Sequence, residues 1–201
     1  MELQAIHKVS GGRYLTRYDL EYTLQNGQAK RYEMVSRTPV TGPADLDGGA
    51  ADGVVMVILN ADGTRLLLNR EFRPAVGKVL YNFPAGMTEP GETTAQAVRR
   101  ELWEETGLSL TEMVADCGLS YGAVGISNES SSVCLGRADD TAPFSAHHEA
   151  AEEIEPVWVS KEQAGQILRG GQVTARVQMF LLLWAEPGLL GPRPPQGHAA
   201  R

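Results

Sequence analysis

The sequence predicts a mixed α/β protein with a small antiparallel sheet at its amino terminus. Tyr14–Leu24 and Ala29–Ser36 loosely alternate apolar and polar residues around Asn26-Gly27, which is a strong hairpin signal. Two further strand-like runs flank Asp62-Gly63 in the same way. A helix with an acidic face follows them, and two helices close the chain, so strands and helices are combined throughout.

The remaining elements can be assigned in chain order. The second hairpin pairs Gly53–Asn60, which is apolar enough for a buried strand, with Arg65–Arg73. Ser160–Gln163 matches a capping box at the start of a helix. Beyond the acidic helix we expect three strands and then two helices, at Thr111–Tyr121, Ser130–Leu135, Ile154–Val159, Ala164–Leu168 and Thr174–Trp184.

Composition and charge limit the classes of partner. The chain has 201 residues, 42% of them hydrophobic, which is enough for one substantial core. A net charge of −7 argues against a broad surface for the phosphate backbone of long nucleic acid. Small anionic nucleotides stay compatible with this charge, because metal ions can supply the positive charge that the protein lacks.

Location and thiol chemistry are also predicted from sequence. Cys117 and Cys134 lie in apolar strand-like runs without metal-ligand spacing, which favours buried free thiols over a disulfide or a zinc site. The amino terminus shows no signal pattern, and the apolar stretch Val177–Trp184 is too short to span a bilayer. We therefore expect a cytoplasmic protein without a membrane partner, ending in a flexible tail over 186–201 that is rich in Pro and Gly.

The segment 86–108 contains the residues that indicate a metal site. It places Glu101, Glu104 and Glu105 within an arc of about 100° on one helical face, with Arg100 beside Glu104. Like charges at this spacing repel one another, so a cation is expected among them. Oxygen ligands suit Mg²⁺ or Mn²⁺. The alternative is a solvated acidic face, but the apolar stripe of Ala95, Val98 and Leu102 borders the acids and predicts that they are half-buried.

The same segment resembles the Nudix box, G-x5-E-x7-R-E-U-x-E-E-x-G-U with U aliphatic. Every specified position is matched, by Gly86, Glu92, Arg100, Glu101, Leu102, Glu104, Glu105, Gly107 and Leu108. The resemblance implies an α/β/α sandwich with a mixed sheet. It also implies hydrolysis of nucleoside diphosphates linked to another group.

The resemblance further implies roles for individual residues. Glu101 and Glu105 are expected to coordinate two or three Mg²⁺ ions, with Mn²⁺ as an alternative, and Glu104 to coordinate or support them. Ala85 is expected to lend its backbone carbonyl, and Arg100 to pair with Glu92. Read independently, Gly86 and Gly91 suit a tight turn, Thr93 or Thr94 can cap the helix, and Gly107 suits a left-handed residue after the last turn.

A narrower resemblance concerns the ADP-ribose pyrophosphatase branch of this family. It is carried by an extension ahead of the catalytic fold and by four short stretches, at Tyr32–Arg37, Glu71–Arg73, Asn82–Gly86 and Thr174–Gln178. The resemblance implies a homodimer formed through a β-sheet extension at 1–45, followed by a Nudix domain at 46–185.

Two departures from that branch leave the substrate open. Asn82 stands where the branch usually has an acid, which removes a possible accessory ligand. Ala123-Val124-Gly125 replaces the usual Ser-Pro-Gly, which is associated with ADP-ribose. A nucleoside diphosphate sugar other than ADP-ribose therefore remains an alternative substrate.

Three residues outside the box are candidates for catalysis or substrate binding. By resemblance, Glu129 on a polar loop acts as general base or binds an additional metal, and a solvated acid is the alternative. Arg73 matches an arginine that contacts the substrate, with an exposed ion pair as the alternative, and Arg37 is a second substrate-binding candidate. Trp103 is expected to pack against a loop or a neighbour. A polar segment is left out of the site: His147, His148, Glu149, Glu152, Glu153 and Glu155.

The predicted reaction is Mg²⁺-dependent hydrolysis of a pyrophosphate bond, with Glu129 deprotonating the attacking water. It yields a nucleoside monophosphate and a sugar phosphate, which for ADP-ribose are AMP and ribose 5-phosphate. A non-catalytic nucleotide sensor is one alternative, although the full set of carboxylates speaks against it. A housecleaning nucleoside triphosphate pyrophosphatase is the other, and the long amino-terminal sheet disfavours it.

Overall fold

The structure is a computed structural model that describes residues 1–46, 49–145, 147, 153–186 and 188. The chain divides into two compact units, which are described separately. Unit one comprises Met1–Val55, Ala85–Val98 and Ala115–Cys134, and unit two comprises Met56–Pro84, Arg99–Val114 and Leu135–Arg201. The domain boundaries expected from sequence, 1–45, 46–185 and 186–201, stay predictions. Apart from Glu186 and Gly188, the expected tail lies outside the described residues.

The amino-terminal sheet has three antiparallel strands in the order β1-β2-β3, formed by Glu2–Gly11, Thr16–Thr23 and Ala29–Ser36. The hairpin predicted around Asn26-Gly27 is the β2–β3 connection. A small core forms where apolar side chains of β2 and β3 meet Val40. Strand β1 was not predicted, because most of its side chains are exposed and leave little apolar alternation to detect.

The larger sheet has seven strands. Its order is β10-β5-β4-β9-β8, with β6 paired to β5 and β7 paired to β4. The strands are β4 Gly53–Leu59, β5 Arg65–Arg73, β6 Lys78–Asn82, β7 Ala85–Met87, β8 Leu110–Tyr121, β9 Ser130–Ala138 and β10 Ile154–Ser160. In unit two the core is built on β4 and β5, where Met56, Ile58 and Leu66 are fully buried. Strands β6 and β7 were not predicted, since runs of five and three residues are too short to show a period.

Three α-helices are described: α1 Thr94–Thr106, α2 Lys161–Gly170 and α3 Ala175–Ala185. The capping box predicted for α2 is confirmed, since Ser160 and Gln163 bond each other's backbone. Thr93 and Gln96 make the same exchange before α1. These elements confirm the predicted mixed α/β fold with an amino-terminal antiparallel sheet.

The two cysteines differ in exposure. Both are free thiols, but only Cys134 is buried, so the prediction of two buried thiols is wrong for Cys117. Cys117 lies on β8, at one end of the strand order, where side chains are largely exposed. Burial raises the pKa of the Cys134 thiol to about 11, with a smaller contribution from Asp116. Within the described residues, no helix is long and apolar enough to cross a bilayer.

Candidate active site

Helix α1 presents its acids from a face that borders the core. Ala97, Val98 and Leu102 are fully buried, so the apolar stripe is confirmed for the latter two residues. Ala95 is exposed, and Ala97 takes its place in the stripe. Glu105 continues the buried side of the helix and is only 6% exposed, which makes it more deeply buried than the half-buried position expected.

The two ends of the α1 segment are set by glycine conformation. Gly91 and Gly107 adopt left-handed φ angles of 81° and 73°, as expected for a turn before the helix and for the residue after its last turn. The expected tight turn at Gly86 is wrong, because Gly86 lies in β7 and pairs with Val54 of β4. The chain therefore leaves a strand, turns at Gly91 and enters the acidic helix.

One guanidinium group neutralises part of the acidic face. Arg100 Nη1 donates to Glu101 Oε1 at 2.8 Å and to Glu104 Oε2 at 3.0 Å. The Glu101 side chain is 13% exposed and that of Glu104 is 38% exposed. The guanidinium offsets the repulsion between these carboxylates. The expected pairing of Arg100 with Glu92 stays a prediction.

Glu105 is held by a buried amide that sequence reasoning missed. Asn69 of β5 is fully buried, and its Nδ2 donates to Glu105 Oε2 at 2.8 Å. The Asn69 Oδ1 atom is also buried and has no hydrogen-bond partner among the described residues. The available signal was an amide directly after Leu66-Leu67-Leu68, inside a run expected to be buried. This bond fixes the carboxylate of a predicted metal ligand.

The donor atoms of α1 fit a hard divalent cation. Glu101, Glu104 and Glu105 offer only oxygen, the donor that Mg²⁺ and Mn²⁺ prefer. In the part of the chain that the structure describes, no three His, Cys, Asp or Glu side chains already converge in a metal-holding arrangement. Arg100 contacts an oxygen of both Glu101 and Glu104. A cation that used those oxygens would therefore compete with the guanidinium.

A second pair of buried polar side chains lies on β5 and β6. Glu71, 7% exposed, accepts a hydrogen bond from Asn82 Nδ2, and Asn82 is itself buried. Arg73, a predicted substrate residue, places Nη1 3.6 Å from Glu71 Oε2, with its side chain 55% exposed. Asn82 Oδ1 accepts from Thr174 Oγ1 and from Arg176 Nε, each at 3.0 Å. The ion-pair alternative for Arg73 is thus present, while its role toward substrate stays a prediction.

In unit one, Arg37 and Glu129 contact each other. Arg37 Nε donates to Glu129 Oε1 at 2.8 Å, and both side chains are 40% exposed. Two residues predicted to have separate roles, in substrate binding and in proton transfer, therefore form one ion pair. Their predicted roles require each of them to exchange this partner for the substrate or for water.

The segment before Glu129 is attached to the amino-terminal sheet. Val35 N donates to Ile126 O at 2.9 Å, and the Tyr32 hydroxyl donates to Gly125 O at 2.6 Å. Asn128 Nδ2 donates to the carbonyl of Asp45. The sequence indicated a polar loop here, and the structure shows that backbone and side-chain hydrogen bonds hold this loop beside β3.

A cleft of about 630 Å³ lies within unit one. Arg37 lines the cleft together with residues of the loop that leads into α1 and of the segment before β4, among them Asp52, Met87, Glu89 and Glu92. A volume of this size suits a nucleotide-sized ligand. The cleft brings one predicted substrate residue together with the loop that leads into α1.

The polar segment set aside from the site is described only in part. The His147 ring stacks on Trp103 with centroids 4.0 Å apart, which confirms that Trp103 packs against a loop. Glu155 pairs with Arg70 on β5. His148, Glu149 and Glu152 lie outside the described residues.

The geometry defines a mixed α/β scaffold that carries an acidic helix behind a glycine turn. The family model of the NUDIX domain matches residues 50–179. The chain therefore belongs to the Nudix family.

Similar proteins support this membership at moderate identity. A putative nudix hydrolase 2 of Caenorhabditis elegans is 28% identical over 137 residues, which are 67% of this chain and 59% of that protein. An ADP-ribose pyrophosphatase of Saccharomyces cerevisiae is 30% identical over 54% of this chain and 46% of its own length. A human NAD-capped RNA hydrolase is 44% identical over 28% of this chain and 12% of its own. The chain spans little more than half the length of the first curated relatives it matches.

A solved structure supports the fold over almost the whole chain. The crystal structure of an ADP compounds hydrolase superposes with a TM-score of 0.67 and covers 93% of this chain and 92% of its own. The two sequences are 16% identical, so this likeness concerns the fold alone.

Proposed function

We propose that the protein is a pyrophosphohydrolase that depends on a divalent cation and cleaves ADP-ribose or a related nucleoside diphosphate sugar. The observation that carries the proposal is the set of carboxylates on α1, where Glu105 is buried and bonded to Asn69 while Glu101 and Glu104 share Arg100. All three side chains offer oxygen, the donor that Mg²⁺ and Mn²⁺ prefer, and Asn69 orients the Glu105 carboxylate. The similarity to a yeast ADP-ribose pyrophosphatase supports the choice of substrate.

Each residue of the proposed site has a role that follows from its chemistry. Glu101, Glu104, Glu105 and the Ala85 carbonyl hold the cations, Mg²⁺ in two or three copies with Mn²⁺ as an alternative. When bound, the cations neutralise phosphate charge and make water a better nucleophile. Arg73 and Arg37 bind and orient the substrate, and Glu129 accepts the proton of the attacking water. The products are a nucleoside monophosphate and a sugar phosphate.

The proposal also includes an oligomeric state and a cellular location. Strand β1 lies at one edge of the amino-terminal sheet, and an exposed edge strand favours pairing with another chain. A homodimer formed through residues 1–45 fits this edge. The cytoplasmic location favoured by the sequence belongs to the same proposal.

A substrate panel tests the function. ADP-ribose, UDP-glucose, GDP-mannose, NAD and an oxidised deoxynucleoside triphosphate would each be incubated with Mg²⁺, with Mn²⁺ and with a chelator, and the products separated by chromatography. We expect the highest kcat/KM with ADP-ribose, AMP as a product, and loss of turnover with the chelator. A preference for the triphosphate would overturn the assignment in favour of housecleaning. Binding without hydrolysis under every condition would favour a sensor.

A further inference from the structure

Asp52 links two segments of unit one, the loop that leads into α1 and the segment that carries Glu129. Its backbone carbonyl accepts hydrogen bonds from Thr88 N at 3.0 Å and from Thr88 Oγ1 at 3.1 Å. Its carboxylate Oδ2 accepts from Ser130 N at 2.8 Å and from Ser130 Oγ at 3.2 Å. Nothing in the sequence indicates this link, because Asp52 and Ser130 are 78 positions apart.

The backbone of Glu129 is fixed on both sides. Glu129 N donates to Ser127 Oγ at 2.9 Å, and the next amide along the chain, Ser130 N, is the one that donates to Asp52. Ser130 itself is only 1% exposed. A hydrogen bond from a backbone amide to a carboxylate is about twice as strong as a neutral one. The main chain of Glu129 is therefore held in place, while its exposed carboxylate can exchange Arg37 for water.

The main chain beside Asp52 is packed too closely to shift easily. Asp52 directly precedes β4, whose first residue, Gly53, pairs with Met87 of β7. A Cβ atom on Gly53 would lie 2.5 Å from Gly86 O, so only glycine fits at this position. Asp52 thus leaves a rigid strand end, and a side chain that leaves such a point can fix the segment it bonds.

We propose that Asp52 is a positioning residue that fixes Glu129, the proposed general base, relative to the loop that leads into α1. The inference rests on the proposed function, which gives Glu129 its catalytic role. Asp52 acts through the peptide between Glu129 and Ser130 and takes no part in the proton transfer. A general base must lie within hydrogen-bond reach of the water it deprotonates, and a displacement of about 1 Å can cost about a hundredfold in rate.

Two variants of Asp52 and one matched control test the positioning role. Asp52→Ala removes the acceptor for Ser130 N and should lower kcat by about tenfold, with a smaller change in KM. Asp52→Asn keeps an oxygen that can accept from Ser130 N, so its kcat should stay within about threefold of wild type. The control is Asp139→Ala, because the exposed Asp139 accepts from Thr141 N and Thr141 Oγ1 in the same manner. It should leave kcat unchanged.

A second background shows whether Asp52 acts through Glu129. Once Glu129→Gln is present, adding Asp52→Ala should lower kcat by less than about twofold, since the group that Asp52 positions is already lost. A further tenfold fall in that background would overturn the inference. If Asp52→Ala fails to fold, Ser130→Ala replaces it, because this variant loses the hydroxyl bond but keeps the backbone amide. Ser130→Ala should lower kcat by about threefold alone and leave it unchanged beside Glu129→Gln.

Hydrogen exchange at the Ser130 amide, followed by NMR, gives a readout that needs no substrate. This amide should be protected in wild type, in Asp52→Asn and in Asp139→Ala, and should exchange about tenfold faster or more in Asp52→Ala. Unchanged exchange in Asp52→Ala would overturn the inference. Faster exchange with a wild-type kcat would also overturn it and leave the proposed function in place. Asp52-dependent protection in a wild-type protein that hydrolyses no member of the panel would remove the proposed function, while the link from Asp52 to Glu129 would stand.

Discussion

The predicted metal ligand Glu105 and the predicted general base Glu129 are held in opposite ways. Glu105 is buried, and a fully buried amide of Asn69 fixes one of its oxygens. Glu129 is 40% exposed and pairs with Arg37, which is equally exposed. Buried hydrogen bonds to a charge are strong and rigid, whereas exposed ion pairs contribute about 1 kcal/mol or less. The fold therefore fixes the proposed cation ligand in advance and leaves the proposed base free to change partner at low cost.

The largest effect is expected for Glu105→Gln. The substitution keeps the size of the side chain and an oxygen that can accept from Asn69, but it removes the negative charge. We expect Mg²⁺-dependent turnover of ADP-ribose to fall about a thousandfold, with an unchanged urea midpoint. Glu112→Gln, on exposed β8, is the surface control. Near wild-type turnover in Glu105→Gln would remove the metal site assigned to α1.

The next largest effect is expected for Glu129→Gln. Loss of a general base lowers kcat by about a hundredfold or more, with little change in stability because the Arg37 pair is exposed. Glu153→Gln is the matched comparison in the segment excluded from the site. If Glu153→Gln lost activity while Glu129→Gln kept a normal kcat, the general base would lie in the segment that follows His147.

The same comparison shows what the sequence could predict. The carboxylates of α1 were recognised because a single helix fixes their mutual geometry, so spacing alone is enough. Asn69 and Glu71 were missed as site residues because their partners lie on other elements, Glu105 on α1 and Asn82 on β6. Likewise the attachment of the Glu129 segment joins residues about ninety positions apart, as in the bond from Tyr32 to Gly125. Pairings of this kind appear only when the chain is folded.

A smaller effect is expected for Asn69→Leu, which tests whether the buried amide prepares Glu105 for a cation. Leucine is close in size and cannot donate to the carboxylate. Loss of a partner that orients a ligand usually weakens metal binding by about tenfold or more, so the Mg²⁺ concentration for half-maximal rate should rise by about that factor. Saturating Mg²⁺ should recover most of the rate. An unchanged Mg²⁺ requirement would show that Asn69 serves packing alone.

The smallest effect is expected for Tyr32→Phe, which probes how firmly the Glu129 segment is held. The variant loses the hydroxyl bond to Gly125 O but keeps the ring and the backbone bond from Val35 to Ile126. A neutral hydrogen bond contributes about 1 kcal/mol, so kcat/KM should change by about fivefold or less while the segment becomes more sensitive to limited proteolysis. Tyr14→Phe, on a tyrosine that is 65% exposed, is the control and should match wild type in both measurements. Tyr32 bonds the segment before Glu129 rather than Glu105, so Tyr32→Phe should leave the Mg²⁺ requirement unchanged, and a shift in that requirement would show that the two groups of residues are coupled.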